Sequence, residues 1–263
     1  MIYSSKEIER FQNARKTASI ITMVVLIVIW FVTTTELKLI PSLFFPSPSD
    51  VFNTLVQVRS SIVNHSFITV FRVIVSFALG SLIGVLVGLL MTRFQIIFGL
   101  LEPVIEALRP VPPIALVPFF ILWFGIGDFG KLLLAGLGCF MVMVITTIEA
   151  VRNVPRIYLQ AALSLGAENA YSYRTVIVPA IIPELIAALR VSLALAFALM
   201  IAAELMGAQT GLGYMIMVAR RSLNTPTILL GIIIIGLEAW LSDRLLGYFT
   251  RSITKWTGRT EHG

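Results

Sequence analysis

The sequence predicts an all-α, polytopic transmembrane helical bundle of about six spans, and three observations lead there. Of the 263 residues, 57% are hydrophobic and only 13% charged, where an ordinary soluble domain is about 25% charged. The mean hydropathy is +0.93, more apolar surface than one water-soluble core can hide, so the surplus faces lipid. The apolar residues also fall in long runs, each at or near the ~20 residues a helix needs to cross ~30 Å of hydrocarbon. No alternating strand pattern competes with them, and open sheets cannot span lipid.

The elements follow in order. Residues 1–16 are polar and hold Lys6, Arg10, Arg15 and Lys16, which reads as a cytoplasmic N-terminal segment. The run 17–35 ends in Thr33, Thr34 and Thr35 before Glu36. It lacks a small-x-small cleavage pattern and reads as an uncleaved first transmembrane helix. Residues 36–64, with Pro41, Pro46 and Pro48, read as an external connection. Residues 65–250 form the core, with spans over 67–92, 96–124, 131–149, 181–205 and 226–249, and 251–263 form a tail. Six spans that start inside also end inside, which puts both termini in the cytoplasm. The basic residues agree in sign with the positive-inside rule. Arg93, Arg152, Arg156, Arg174, Arg244, Arg251, Lys255 and Arg259 join the N-terminal four on the cytoplasmic side, against Lys38, Arg59, Lys131, Arg220 and Arg221 outside.

Several function classes drop out. A net charge of +6 raises the question of nucleic acid, but the basic residues cap apolar runs and form no stripe, so membrane lipid is the partner and nucleic acid is not. The single Cys139 permits neither an intrachain disulfide nor a metal cluster. His65 and His262 lie far apart in the chain, so no metal site is expected. The segment from Gly125 to Lys131 matches G-x-G-x-x-G and most of a phosphate-binding loop. Leu132 stands where the magnesium-binding hydroxyl belongs, and no strand precedes the segment, so it reads as a tight turn.

Within the spans, Gly80, Gly84 and Gly88 recur on one helix face and suit close helix packing, static or mobile. Arg109-Pro110-Val111-Pro112-Pro113 cannot continue a straight helix. A break at membrane depth is covered by protein or by a water-filled cavity, so Arg109, Pro110, Pro112 and Pro113 mark a solute path or a kinked helix. Charges inside spans need a partner or a task. Glu102, Glu106 and Arg109 share a face by i, i+3 and i+4 spacing and neutralise one another. Arg190, Glu204 and Glu238 either line a solute path or pair across helices. Arg72 reads as a side chain that snorkels outward.

The longest cytoplasmic loop, 152–179, carries helix formers over 157–165, then Gly166, then a second amphipathic stretch before Pro179 and Pro183. A helix–glycine–helix projecting from a membrane domain suits either docking on a soluble partner or a jointed surface loop. Its residues resemble the EAA loop of permease subunits in ABC importers: Glu-Ala-Ala, three residues, Gly, nine residues, Ile-x-Leu-Pro. Gln160, Ala161, Ala162, Gly166, Val176, Val178 and Pro179 fit that spacing without a gap. Gln160 replaces the glutamate, and valines replace isoleucine and leucine. Arg109 to Pro118, Trp123 to Gly127, Ala202 to Leu205, Thr210 to Gly213 and Pro46 to Pro48 are similar to importers of taurine, aliphatic sulfonates and nitrate.

The resemblance implies a type I ABC importer permease fold and a homodimer with a second copy. It also implies two cytoplasmic P-loop ATPase subunits that bind the ATP and magnesium, and an external solute-binding protein. The chain itself then needs no cofactor and does no covalent chemistry. Arg72, Arg109 and Arg190 would suit the path of a small anion. An ion-coupled secondary transporter is the rival reading, since broken helices and buried charges serve that class too. A polytopic enzyme would need a His, Asp or Ser cluster at one membrane face.

Overall fold

The computed structural model describes residues 5–37 and 41–251, and every described element is helical. The helices are α1 (Ser5–Phe31, widening into a π-turn over Val32–Glu36), α2 (Pro48–Arg93), α3 (Gln95–Leu108) and α4 (Val117–Phe124, after a 3-10 turn over Pro113–Leu116). They continue with α5 (Asp128–Asn153), α6 (Arg156–Ser164), α7 (Asn169–Ser172), α8 (Val178–Gly207, after a π-turn over Tyr173–Ile177), α9 (Leu212–Arg221) and α10 (Thr225–Arg251). Five stretches are long and apolar enough to cross a membrane, and the bent pair of α3 with the Pro113–Phe124 segment makes a sixth.

The chain divides into two compact units, one of residues before Ser60 with Ile216–Ile232 and one of Ser60–Met215 with Ile233 onward. In the first unit, the apolar span Thr17–Glu36 is only 6% buried over its most hydrophobic window, so nearly all of its surface is left for lipid or another chain. Trp30 Nε1 donates to the Pro46 carbonyl at 3.0 Å and its ring lies 5.9 Å from Phe45. The stretch 36–64, expected as a connection, is helical from Pro48 on. Pro48 lacks only an N–H that a first helical turn leaves unpaired anyway, and Asp50 caps the turn by accepting from the Ser47 N–H and hydroxyl.

The second unit is built on α5. Gly80, Gly84 and Gly88 of α2 lie against it: a Cβ on Gly84 would sit 2.7 Å from the Phe140 carbonyl oxygen, and one on Gly88 2.7 Å from Thr147 Cβ. One on Gly80 would press on the Gly136 carbonyl oxygen. Missing side chains are what let these backbones meet. On its other side α5 packs on α8, where Ala135, Cys139, Leu193, Ala196 and Met200 are almost wholly buried. A Ser81–Ser192 hydroxyl pair at 3.2 Å adds a polar tie.

The proline run does what its chemistry requires. The helix that begins at Gln95 stops at Leu108, and the next direction departs by 86°. Val111 N–H bonds the Leu108 carbonyl at 3.0 Å and Ala115 N–H that of Pro112 at 3.0 Å, so the break is a folded corner.

Candidate functional site

Two features stand out: a projecting segment between α5 and α8, and a buried knot of charge around Glu204. In the projection, Pro155 precedes α6 and Gly166 ends it. Gly166 has φ +82°, its N–H bonds the Leu163 carbonyl at 3.0 Å, and the Ala167 N–H bonds that of Ala162 at 3.0 Å. This paired closure is the Schellman arrangement, which wants glycine at the left-handed position. Nothing lies within 4 Å of where a Gly166 Cβ would stand, so backbone conformation, not crowding, demands the glycine.

No residue of α6 is buried, and Ile157, Tyr158 and Leu165 are exposed, Leu165 by 89%. The chain returns through Tyr173, whose hydroxyl pairs with Thr92 Oγ1 at 2.7 Å and donates to the Leu89 carbonyl at 2.9 Å. A cavity of about 550 Å3 is lined by Ala162, Leu165, Gly166, Glu168, Tyr171 and Val176. Gln160 and Ala161 are exposed beside it, and Val178 and Pro179 are half-buried at the start of α8.

The knot corrects one expectation. Arg72 does not snorkel; it is 4% exposed. Its Nη1 donates to Glu204 Oε1 at 2.8 Å and to the Thr210 carbonyl at 2.9 Å, and its Nη2 to Asp128 Oδ1 at 2.5 Å and Thr210 Oγ1 at 2.8 Å. Glu204, itself 1% exposed, also accepts from Thr69 Oγ1 at 3.0 Å and from the Gly213 N–H at 3.0 Å. The Leu212 N–H donates to Thr69 Oγ1 at 2.8 Å, and the Gly211 N–H to His65 Nδ1 at 3.0 Å. The Thr210–Gly213 turn is therefore wrapped on the Glu204 carboxylate. Buried charges are tolerated when paired and hydrogen-bonded; both Nη atoms of Arg72 are so engaged, while its buried Nε has no partner among the described residues, and an exposed reading of Arg72 ignored partners more than 50 residues away in the chain.

Next to the knot, the Gly125–Lys131 turn folds its lysine back on itself. Lys131 is 4% exposed, and its Nζ donates to the carbonyls of Ile126 at 2.5 Å and Gly127 at 2.8 Å. Its charge staples its own loop.

The remaining arginines lie elsewhere. Arg109 bridges Glu106 at 3.7 Å and Glu149 at 3.3 Å, while Glu102 faces Arg152 at 3.9 Å. The expected trio is thus extended across helices: α5 supplies a partner for each end. Pro110 and Pro112 are exposed at the corner and Pro113 is half-buried. Arg190 forms a fork with Asp243 at 2.7 and 2.5 Å and stays half-exposed. Asp243 was missed as a partner because its own sequence neighbours give no sign of α8 beside it.

The profile of the binding-protein-dependent transport system inner membrane components matches residues 80–255. The taurine transport system permease protein of Escherichia coli is 34% identical over 93% of this chain and 91% of its own length. A putative aliphatic sulfonates transport permease protein of Bacillus subtilis is 32% identical over 90% of this chain and 86% of its own. Among solved structures, an inward-facing MetNI methionine ABC transporter chain superposes with a TM-score of 0.58 at 20% identity, covering 76% of this chain and 99% of that one. The chain belongs to the binding-protein-dependent transport system inner membrane components, and is a multi-pass, non-catalytic permease of the ABC transporter class.

Proposed function

We propose that the chain is the membrane-spanning subunit of an ATP-driven importer of a small organic sulfonate such as taurine. The observation that carries the coupling half of this reading is the projection: an exposed helix closed by a left-handed glycine, with an apolar rim beside a cavity of about 550 Å3. Its exposed Leu165 and Tyr171 suit a partner's cleft. Gln160, Ala161, Ala162, Gly166, Val176, Val178 and Pro179 then form the coupling surface. The working assembly has two copies of this chain, two P-loop ATPase subunits that bind ATP and magnesium, and an external solute-binding protein. The loop 152–179 and both termini face the cytoplasm. The sulfonate reading is supported by relatives named for taurine and for aliphatic sulfonates; nitrate is the next anion to test.

The experiment is purification of the tagged chain from its native membranes in mild detergent, followed by uptake of labelled taurine in vesicles. Co-purification of an ATPase, with uptake that requires ATP, supports the reading. Gly166→Val would force a β-branched residue into φ +82°, at about 1–2 kcal/mol or more of backbone strain. It is expected to insert normally while losing the ATPase, with Gly166→Asn milder. Uptake in ATP-free vesicles by the chain alone would overturn the importer reading in favour of ion-coupled transport.

A further inference from the structure

Between α8 and α10 lies a pocket of about 680 Å3, lined by Arg190, Trp240, Asp243, Arg244, Tyr248 and Arg251 among others. Arg190 stands about 18 Å along the 30-residue apolar α8 at 1.5 Å per residue, yet its side chain is 55% exposed. Its partner Asp243 adjoins Arg244, which the charge pattern of the sequence puts on the cytoplasmic side. Asp243 fixes one edge of its guanidinium through Nε and Nη2, and Nη1 has no protein partner among the described residues. Arg244 lies over the Trp240 ring at 5.4 Å. Neither Arg244 nor Arg251 has an ion-pair partner among the described residues. Three arginines thus meet one carboxylate, whose two oxygens both accept from Arg190 and which also feels the charge of Arg244.

We propose that this pocket binds a single tetrahedral oxyanion, a sulfonate or a phosphate monoanion. Arg190, Arg244 and Arg251 donate to its oxygens, and Asp243 acts as a positioning residue. Guanidinium edges match such oxygens in paired hydrogen bonds, and the exposed Trp240 and Tyr248 rings can flank the organic part. Two sources share this chemistry: the organic sulfonate in transit, which rests on the function proposed above, and the headgroup of an anionic phospholipid, which basic pockets between membrane helices also take.

The test uses the assembled transporter in phosphatidylcholine nanodiscs, with labelled taurine as the solute probe, and native mass spectrometry of phosphatidylglycerol retention as the lipid probe. Arg244→Gln and Arg251→Gln are each expected to weaken binding of one probe about tenfold or more, with Arg244→Lys recovering part of the loss. Asp243→Asn is expected to weaken the same probe while leaving Arg244 in place. Loss confined to taurine identifies the solute as the ligand, and loss confined to phosphatidylglycerol identifies the headgroup. Binding of both probes within twofold of the parent in both glutamine variants overturns the pocket. The two readings fail separately: uptake of taurine with both probes indifferent to Arg244 removes only the pocket. Absence of sulfonate uptake with Arg244-dependent lipid retention removes only the sulfonate importer.

Discussion

Replacing Arg72 by glutamine strips the Glu204 carboxylate of its only cationic partner within ion-pair distance among the described residues. What remains to it is the Thr69 hydroxyl and the Gly213 N–H. Breaking one side of a buried pair costs about 3–5 kcal/mol, because the surviving charge is left uncompensated. Arg72 also loses its two bonds to Thr210, so the Thr210–Gly213 turn loosens with it and the upper half of that range applies. At roughly 2–4 °C per kcal/mol for a chain of this size, Arg72→Gln should unfold about 8–20 °C below the parent. The assay is thermal unfolding of the detergent-purified chain, followed by near-ultraviolet circular dichroism. Glu204→Gln keeps the shape and removes the charge, leaving Arg72 with Asp128 as its counter-ion, so it should cost less. The double variant should be more stable than Arg72→Gln alone, since no lone charge is then buried. A double variant that simply sums the two losses, or an Arg72→Gln protein that melts with the parent, would refute the account of a mutually compensating buried pair.

Four further outcomes follow from the geometry. Gly84→Ala brings a Cβ to 2.7 Å from the Phe140 carbonyl oxygen and should cost about 1–3 kcal/mol through overpacking. Gly99→Ala, with open space at its Cβ, should leave the same unfolding curve unchanged or slightly raised. Asp243→Asn removes an exposed fork and should shift stability by no more than about 1 kcal/mol, which a melt would register as a few degrees at most. The isolated chain should bind no ATP, because the Lys131 ammonium is held by carbonyls of its own loop. Titration with a fluorescent ATP analogue checks this, and a saturable signal lost in Lys131→Ala would contradict it.

The bundle was legible in the sequence because its signals are local. Long apolar runs, a proline corner and three glycines at helical spacing each act within a few residues, and each falls where the structure puts it. The helix start at Pro48 was hidden because 48–64 is too polar to resemble a span, although a helix needs no apolar face where it leaves the membrane. Gly166 was legible as a joint, and its φ of +82° explains why. Arg72 was not: whether a cation near the end of a span snorkels or is buried depends on what other helices bring to it. Here Asp128 arrives from the start of α5, and Glu204 and Thr210 from the end of α8 and the turn that follows it.

The resemblance suggested Arg72, Arg109 and Arg190 for an anion path, although Arg72 also read as snorkelling outward, and their surroundings now separate them. Arg72 spends both Nη atoms on protein acceptors and has almost no exposed surface. An anion could reach it only by displacing Glu204, Asp128 or Thr210, so its task is to hold the fold. Arg109 is half-exposed, but it lies between Glu106 and Glu149 with Glu102 nearby. Three carboxylates against two cations, Arg109 and Arg152, leave a net negative field that disfavours anions. Arg190 alone pairs with a single carboxylate and has two further arginines lining its pocket. On the function and pocket proposed above, a sulfonate would meet its favourable charge between α8 and α10.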